Sequence, residues 1–177
     1  MRLKMLQQIL QEIPPVDAGK SRQAQEAWDN IAKPLHSLGK LEDLVCQMAG
    51  IYRTLDFSID KKGLLIFCAD NGVVEEGVSQ TGQEVTGVVA ENFLDEQSCA
   101  AIMCKRAGVT IRPIDIGMIK DTPRVEKRKV CYGTRNMTKE PAMTREEAIR
   151  GIETGITLVQ EMKERGYRIL AIGEMGI

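Results

Sequence analysis

The sequence predicts an α/β protein, a parallel β-sheet with crossover helices preceded by an N-terminal helical segment. Three observations predict it. Leu64-Leu65-Ile66-Phe67-Cys68-Ala69 is an uninterrupted apolar run closed by the turn signal Asp70-Asn71-Gly72, the pattern of a strand buried on both faces of a parallel sheet. Two further strand-like runs, Val109 to Ile116 and Arg168 to Ile172, follow, with helical periodicity between each pair. Strand, helix, strand, helix, strand demands crossover connections, and these set neighbouring strands parallel.

The first sixty residues carry only helical spacing. Leu3, Leu6, Ile9, Leu10 and Ile13 share one face until Pro14-Pro15 stops the run. A second stripe is Ala24, Ala27, Trp28 and Ile31, ending before Pro34, and a third is Leu41, Leu44, Val45 and Met48. Each stripe is narrow and apolar, so each is expected to pack on a neighbour. After the first strand, Val85, Val88, Val89 and Phe93 mark one helix, and Ala100 to Ala107, closed by Gly108, a second. Pro113 places part of the next strand at an edge or bulge. Thr144-Arg145-Glu146-Glu147 is a capping box, in which the Thr hydroxyl accepts from a free backbone N–H and the Glu reaches back. It opens a helix carrying Ala148, Ile149, Ile152, Ile156, Val159 and Met162 that ends near Gly166. Arg168 to Ile172 reads as a third buried strand running into the loop Gly173-Glu174-Met175-Gly176. The expected division is therefore 1–60 helical and 61–177 α/β. A strand that delivers its carboxyl end into a loop with no helix after it reads as a fragment, truncated before the sheet is complete.

Composition narrows the function. Of 177 residues, 43% are hydrophobic and 28% charged, enough for a core and no signature of disorder. The formal net charge is -1, which argues against a nucleic-acid binder, since phosphate neutralisation supplies most of such affinity. Aromatic residues at 4% argue against a base-stacking platform. Five cysteines without a CxxC pair read as reduced thiols rather than a disulfide frame or zinc site; Cys99 and Cys104 are expected to be small core residues. The single histidine, His36, sits in a turn and excludes a His-rich metal site. The amino-terminal run is too polar for a signal peptide and no stretch is long enough to cross a bilayer, so a cytoplasmic protein without nucleic-acid or membrane partners is expected.

Three loops hold residues that could carry chemistry. The stretch Ala69 to Thr86 leaves a strand carboxyl end, passes three glycines and enters a helix, offering Asp70, Ser79, Gln83 and Glu84 with no phosphate-binding lysine. It is equally a long solvated connection capped by Ser or Thr. Glu174, in Gly173-Glu174-Met175-Gly176, stands at another strand end, where it holds a ribose hydroxyl, accepts a proton or simply solvates. The third, Gly133-Thr134-Arg135-Asn136-Met137 with Pro141-Ala142-Met143-Thr144, reads as a cap plus a turn. GxGxxG after a strand, GxxxxGK[ST] and a pair of acidic residues on an apolar strand are all missing.

Taken together, four blocks resemble the nicotinate-nucleotide–dimethylbenzimidazole phosphoribosyltransferase family. They are Lys33-Pro34 with Ser37-Leu38-Gly39-Lys40-Leu41-Glu42, Ala69 to Gly77 with Val78-Ser79, Gln83-Glu84-Val85-Thr86, and Gly173-Glu174-Met175-Gly176-Ile177. Asn71 departs from the pattern, since many members have histidine there; the exchange keeps the turn and removes a titratable group. The resemblance implies a Rossmann-like α/β domain beside a small helical domain built from both chain ends, a homodimer, and roughly twice this length. It implies transfer of the 5-phosphoribosyl group from nicotinate mononucleotide to an azole nitrogen of dimethylbenzimidazole; no cofactor and no metal is expected. Carried over by position, Ser79 and Gln83 line the acceptor-base pocket, Glu174, Met175 and Gly176 floor the ribosyl and base site, and Asp70 and Asn71 stand beside them. The family's general base is a glutamate expected beyond Ile177, so these residues alone are expected to be inactive. A paralogue activating phenolic bases, a non-catalytic nucleotide- or base-binding module, a scaffolding half of a heteromer and a flavodoxin-like domain are the alternatives.

Overall fold

The computed structural model describes residues 4–177; Leu3, on the first predicted stripe, lies outside the described residues. Gln7–Ser58 forms one compact unit, and a second contains Ile59–Ile177.

α1 (Lys4–Glu12) leads into the first unit, to α2 (Ala18–Asp29) and α3 (Lys40–Tyr52). Asp17 caps α2, its carboxylate accepting from Lys20 N at 3.0 Å. α2 and α3 pack through small residues, Ala24, Cys46 and Ala49, with Trp28 and Phe57 against them. This corrects the predicted stripe of α3, because Leu41 and Leu44 are each 55% exposed. The buried side lies one residue, about 100°, round the helix, where Glu42 is turned inward. One of its oxygens accepts from Lys33 Nζ at 2.7 Å and from Leu38 N at 3.0 Å. Hydrophobic periodicity cannot register a helix whose inner face carries a paired carboxylate and small side chains.

In the second unit β1 (Lys62–Ala69) is followed by a 3₁₀ turn (Gly72–Glu76), α4 (Glu84–Leu94), α5 (Cys99–Ala107), β2 (Val109–Gly117), β3 (Glu126–Lys127), α6 (Arg145–Glu164) and β4 (Ile169–Met175). The sheet order is β3-β2-β1-β4, every pair parallel. β1 lies inside the sheet, between β2 and β4, a place its unbroken apolar run allows. Alternate side chains feed two cores: Ile66 and Cys68 meet Ala90 and Phe93 of α4, while Leu65 meets Leu158 and Met162 of α6. Burial pushes the Cys68 thiol up to about 12. The capping box at α6 forms in both directions, Glu147 N to Thr144 Oγ1 at 3.2 Å and Thr144 N to Glu147 Oε2 at 2.6 Å.

Four sequence expectations change. β3 has no signal of its own, being two residues long; Arg112 of β2 clamps Glu126 at 2.8 and 2.9 Å and reaches Glu161 of α6 at 2.7 Å. β4 is longer than predicted, taking in Gly173, Glu174 and Met175, and it is exposed, with Ile172 73% accessible. It occupies a sheet edge among the described residues, and an apolar run reports that a strand can be buried, not where in the sheet it lies. Gln83 stands at the N-cap of α4 and makes no side-chain cap bond; Ser79 Oγ instead accepts from Thr81 N within the preceding loop, at 3.3 Å. Cys99 is exposed while Cys104 is buried.

Candidate functional site

The connectivity changes direction at β1. α4 and α5 cross one face from β1 to β2, and α6 packs on the other before β4 returns along the opposite edge of β1. Such a switch point opens a crevice outside the strand carboxyl ends. Here the two ends are joined: Asn71 N donates to the backbone oxygen of Ile177 at 2.8 Å. Glycine is obligatory at Gly176, where a Cβ would collide with the Ala69 carbonyl oxygen. The stretches after β1 and β4, far apart in sequence, thus meet.

Gln83 is tied to the same junction, its Nε2 donating to Asn71 O at 3.0 Å. Beside it a cleft of about 440 Å³ lies between the start of α4 and the segment after β2, lined by Asp70, Gln83, Met118, Lys120 and Asp121 among others. Its size suits a small-molecule ligand. Asp70 is 1% exposed and holds the floor. Its Oδ2 accepts from Ile119 N at 2.8 Å, its backbone N–H donates to Gly117 O, and its carbonyl accepts from Thr134 N. Asp70 Oδ1 has no hydrogen-bond partner among the described residues, the condition that a donor on a ligand would relieve.

The far wall is pinned by charge. Lys129 Nζ lies 2.9 Å from Asp115 Oδ2 and 3.1 Å from Asp121 Oδ1, and it donates to Met118 O at 2.5 Å. Burial works against its charge, but Asp115 and Asp121 outweigh burial and hold its pKa above the usual lysine value. Asp115 Oδ1 also takes Met118 N at 2.9 Å. Sequence reasoning overlooked this arrangement: Asp115 closes an apolar strand and Lys129 stands in a polar loop, and no spacing links them.

Of the candidate residues, the structure brings Asp70, Asn71 and Gln83 together with Gly176 and Ile177. Ser79 is half-buried but is not among the residues lining the cleft. Met175 pairs with Cys68 and packs into the core on the α4 side. Glu174 pairs with Phe67, which packs with the α6 core, so strand alternation sends its side chain to the other face of the sheet. Among the described residues no helix is long and apolar enough to cross a membrane, and no group of three or more His, Cys, Asp or Glu could hold a metal ion.

A phosphoribosyltransferase family model matches residues 13–177. The chain belongs to this family. Among curated relatives, nicotinate-nucleotide–dimethylbenzimidazole phosphoribosyltransferase of Clostridium tetani is 43% identical over 99% of the chain and 49% of its own length. The Geobacter metallireducens enzyme of the same name is also 43% identical, over 99% of the chain and 50% of its own length. The crystal structure of the Thermus thermophilus enzyme so named superposes with a TM-score of 0.86 at 33% identity, covering 91% of this chain and 50% of that one. The chain spans about half the length of the curated relatives it matches. In this chain the second and fourth motif blocks are the two strand ends that meet, and the third opens α4 above them. The first block lies in the helical unit, where it supplies the Lys33–Glu42 pair. The departure at Asn71 leaves the junction whole, because the bonds to Ile177 and Gln83 both use its backbone.

Proposed function

We propose that this phosphoribosyltransferase moves the 5-phosphoribosyl group of nicotinate mononucleotide to a nitrogen of 5,6-dimethylbenzimidazole, giving α-ribazole 5′-phosphate and nicotinate. The Asp70–Gln83 cleft is the acceptor side. The observation that carries this reading is Gln83, held through Nε2 on the Asn71 carbonyl at the edge of a cleft whose buried carboxylate has an unused oxygen. An amide anchored by its nitrogen offers its oxygen to a donor, and an azole brings one N–H donor and one nitrogen acceptor. The reaction forms a carbon–nitrogen bond at a ribosyl centre of carbocation character. A general base removes the azole proton as that bond forms, and neighbouring negative charge stabilises the centre. The base is the family's glutamate, which the resemblance places outside these residues. The resemblance assigns the end of β4, Glu174 to Gly176, to the ribosyl side, where Gly176 lets the backbone close on Ala69, and it assigns Ser79 to the acceptor loop. The reading extends to a homodimer working in the cytoplasm.

Calorimetric titration of dimethylbenzimidazole into the 177-residue chain tests it. Heat of binding is expected and Gln83→Ala is expected to abolish it, whereas equal heat from both proteins overturns the pocket assignment. The same chain incubated with nicotinate mononucleotide and the azole is expected to release no α-ribazole phosphate. Turnover near that of a full-length relative would place the general base within these residues.

A further inference from the structure

We infer that Asn136 is a positioning residue for the acceptor side of the site, fixing the Gly72–Glu76 turn and through it the Asn71–Gln83 contact without touching substrate. The inference deepens the reading above and rests on it. Asn136 is 6% exposed and its side chain is used at both ends. Nδ2 donates to Glu76 Oε1 at 2.6 Å and to Glu75 Oε2 at 3.3 Å. Oδ1 accepts from Thr138 N at 3.0 Å and from Thr138 Oγ1 at 2.8 Å. Two adjacent carboxylates facing one side chain demand a donor there, and the Thr138 groups demand an acceptor. A short primary amide supplies both; aspartate has the same shape and no N–H.

The clasp closes one end of a turn whose other end is held by the same segment. Gly72 N donates to Thr134 Oγ1 at 3.2 Å, and Thr134 N donates to the Asp70 carbonyl at 2.9 Å. Gly72 lies so close to this segment that a Cβ would fall 2.6 Å from Asn136 N. Lys139 Nζ, 2.7 Å from Glu75 Oε2, neutralises part of the charge. Lys139 and Asn136 hold the Glu75 carboxyl below its usual range, and Asn136 and Thr138 do the same for Glu76. Asn71, which bonds both Gln83 and Ile177, directly precedes the fastened turn. A loop held in its binding conformation before the ligand arrives spares the ordering cost on binding.

A polar clasp and a mere packing residue respond differently to an isosteric change. Asn136→Asp keeps the volume and turns a donor into a third acceptor between Glu75 and Glu76. In the 177-residue chain it is expected to weaken dimethylbenzimidazole binding about tenfold and to speed hydrogen exchange of the 72–77 amides about tenfold, the scale of an unsatisfied buried polar group. Adding Glu75→Gln and Glu76→Gln to N136D restores the donors from the other side and is expected to recover both readouts. Wild-type exchange and affinity in N136D, or no recovery in the triple variant, would overturn the inference. Should N136D fail to fold, Glu76→Ala at an exposed position removes the shorter bond and must itself speed exchange at 72–77; unchanged exchange overturns the clasp. A wild-type chain that binds no azole defeats the acceptor reading instead, and the exchange measurement then decides by itself whether Asn136 fixes the turn.

Discussion

The two units solve the problem of burial in opposite ways. Ile59–Ile177 hides large apolar side chains, Leu65, Ile114 and Leu158 among them, on both sides of a sheet. Gln7–Ser58 buries small ones, Ala24, Cys46 and Ala49, and leaves Leu35, Leu38, Leu41, Leu44 and Ile51 largely exposed. The difference teaches that apolar patterning has two meanings in one chain. In the α/β unit it marks an internal core; in α3 it marks an outer face that the helical unit does not itself use.

Substitutions test that contrast, starting from its strongest element. Leu158→Ala removes a side chain that is fully buried between α6 and β1 and is expected to destabilise the α/β unit by about 2–5 kcal/mol, read as a fall in the urea midpoint by far-ultraviolet circular dichroism. A smaller effect follows from acid. The folded pKa values of Glu75 and Glu76 are depressed below the ordinary 4.5, so their contribution is fully present above that value and is lost as pH falls through the folded values. An NMR titration should show the Asn136 side-chain amide signals moving in that acid range, with little loss of global stability because the carboxylates are exposed. The smallest effect is expected at Leu44→Ser, which is 55% exposed and should shift unfolding, followed by the fluorescence of Trp28, by less than about 0.5 kcal/mol. A shift there as large as that of Leu158→Ala would erase the distinction between the two units.

Much of the fold was legible because it is dictated by neighbours in the chain. The apolar run 64–69 announces a strand, Thr144 and Glu147 announce a helix start, and Gly108, at φ +64°, announces a helix end. The legible part of the site was likewise local: glycine-bearing loops at strand ends, with Gln83 opening a helix. Illegible were the inner face of α3, set by the Lys33–Glu42 pair, and the exposure of β4, set by its place at the sheet edge. The role of Asn136 was hidden too; within its own segment it looked like part of a turn, and its partners Glu75 and Glu76 are 61 and 60 residues away.

By itself, then, the order of residues determined which segments become the helices and the three longer strands, that those strands run parallel, and that glycine-containing stretches stand at or near their carboxyl ends. Those outcomes follow from side-chain period, turn geometry and capping, all of which act within a few residues. Only the tertiary structure decided that Asn71 meets Ile177, that Lys129 pins the wall of the cleft, and that Asn136 clasps the turn. Each of these joins groups brought together by the pairing of distant strands, and the desolvation of a buried polar group, which demands a partner, arises only once the chain has closed around it.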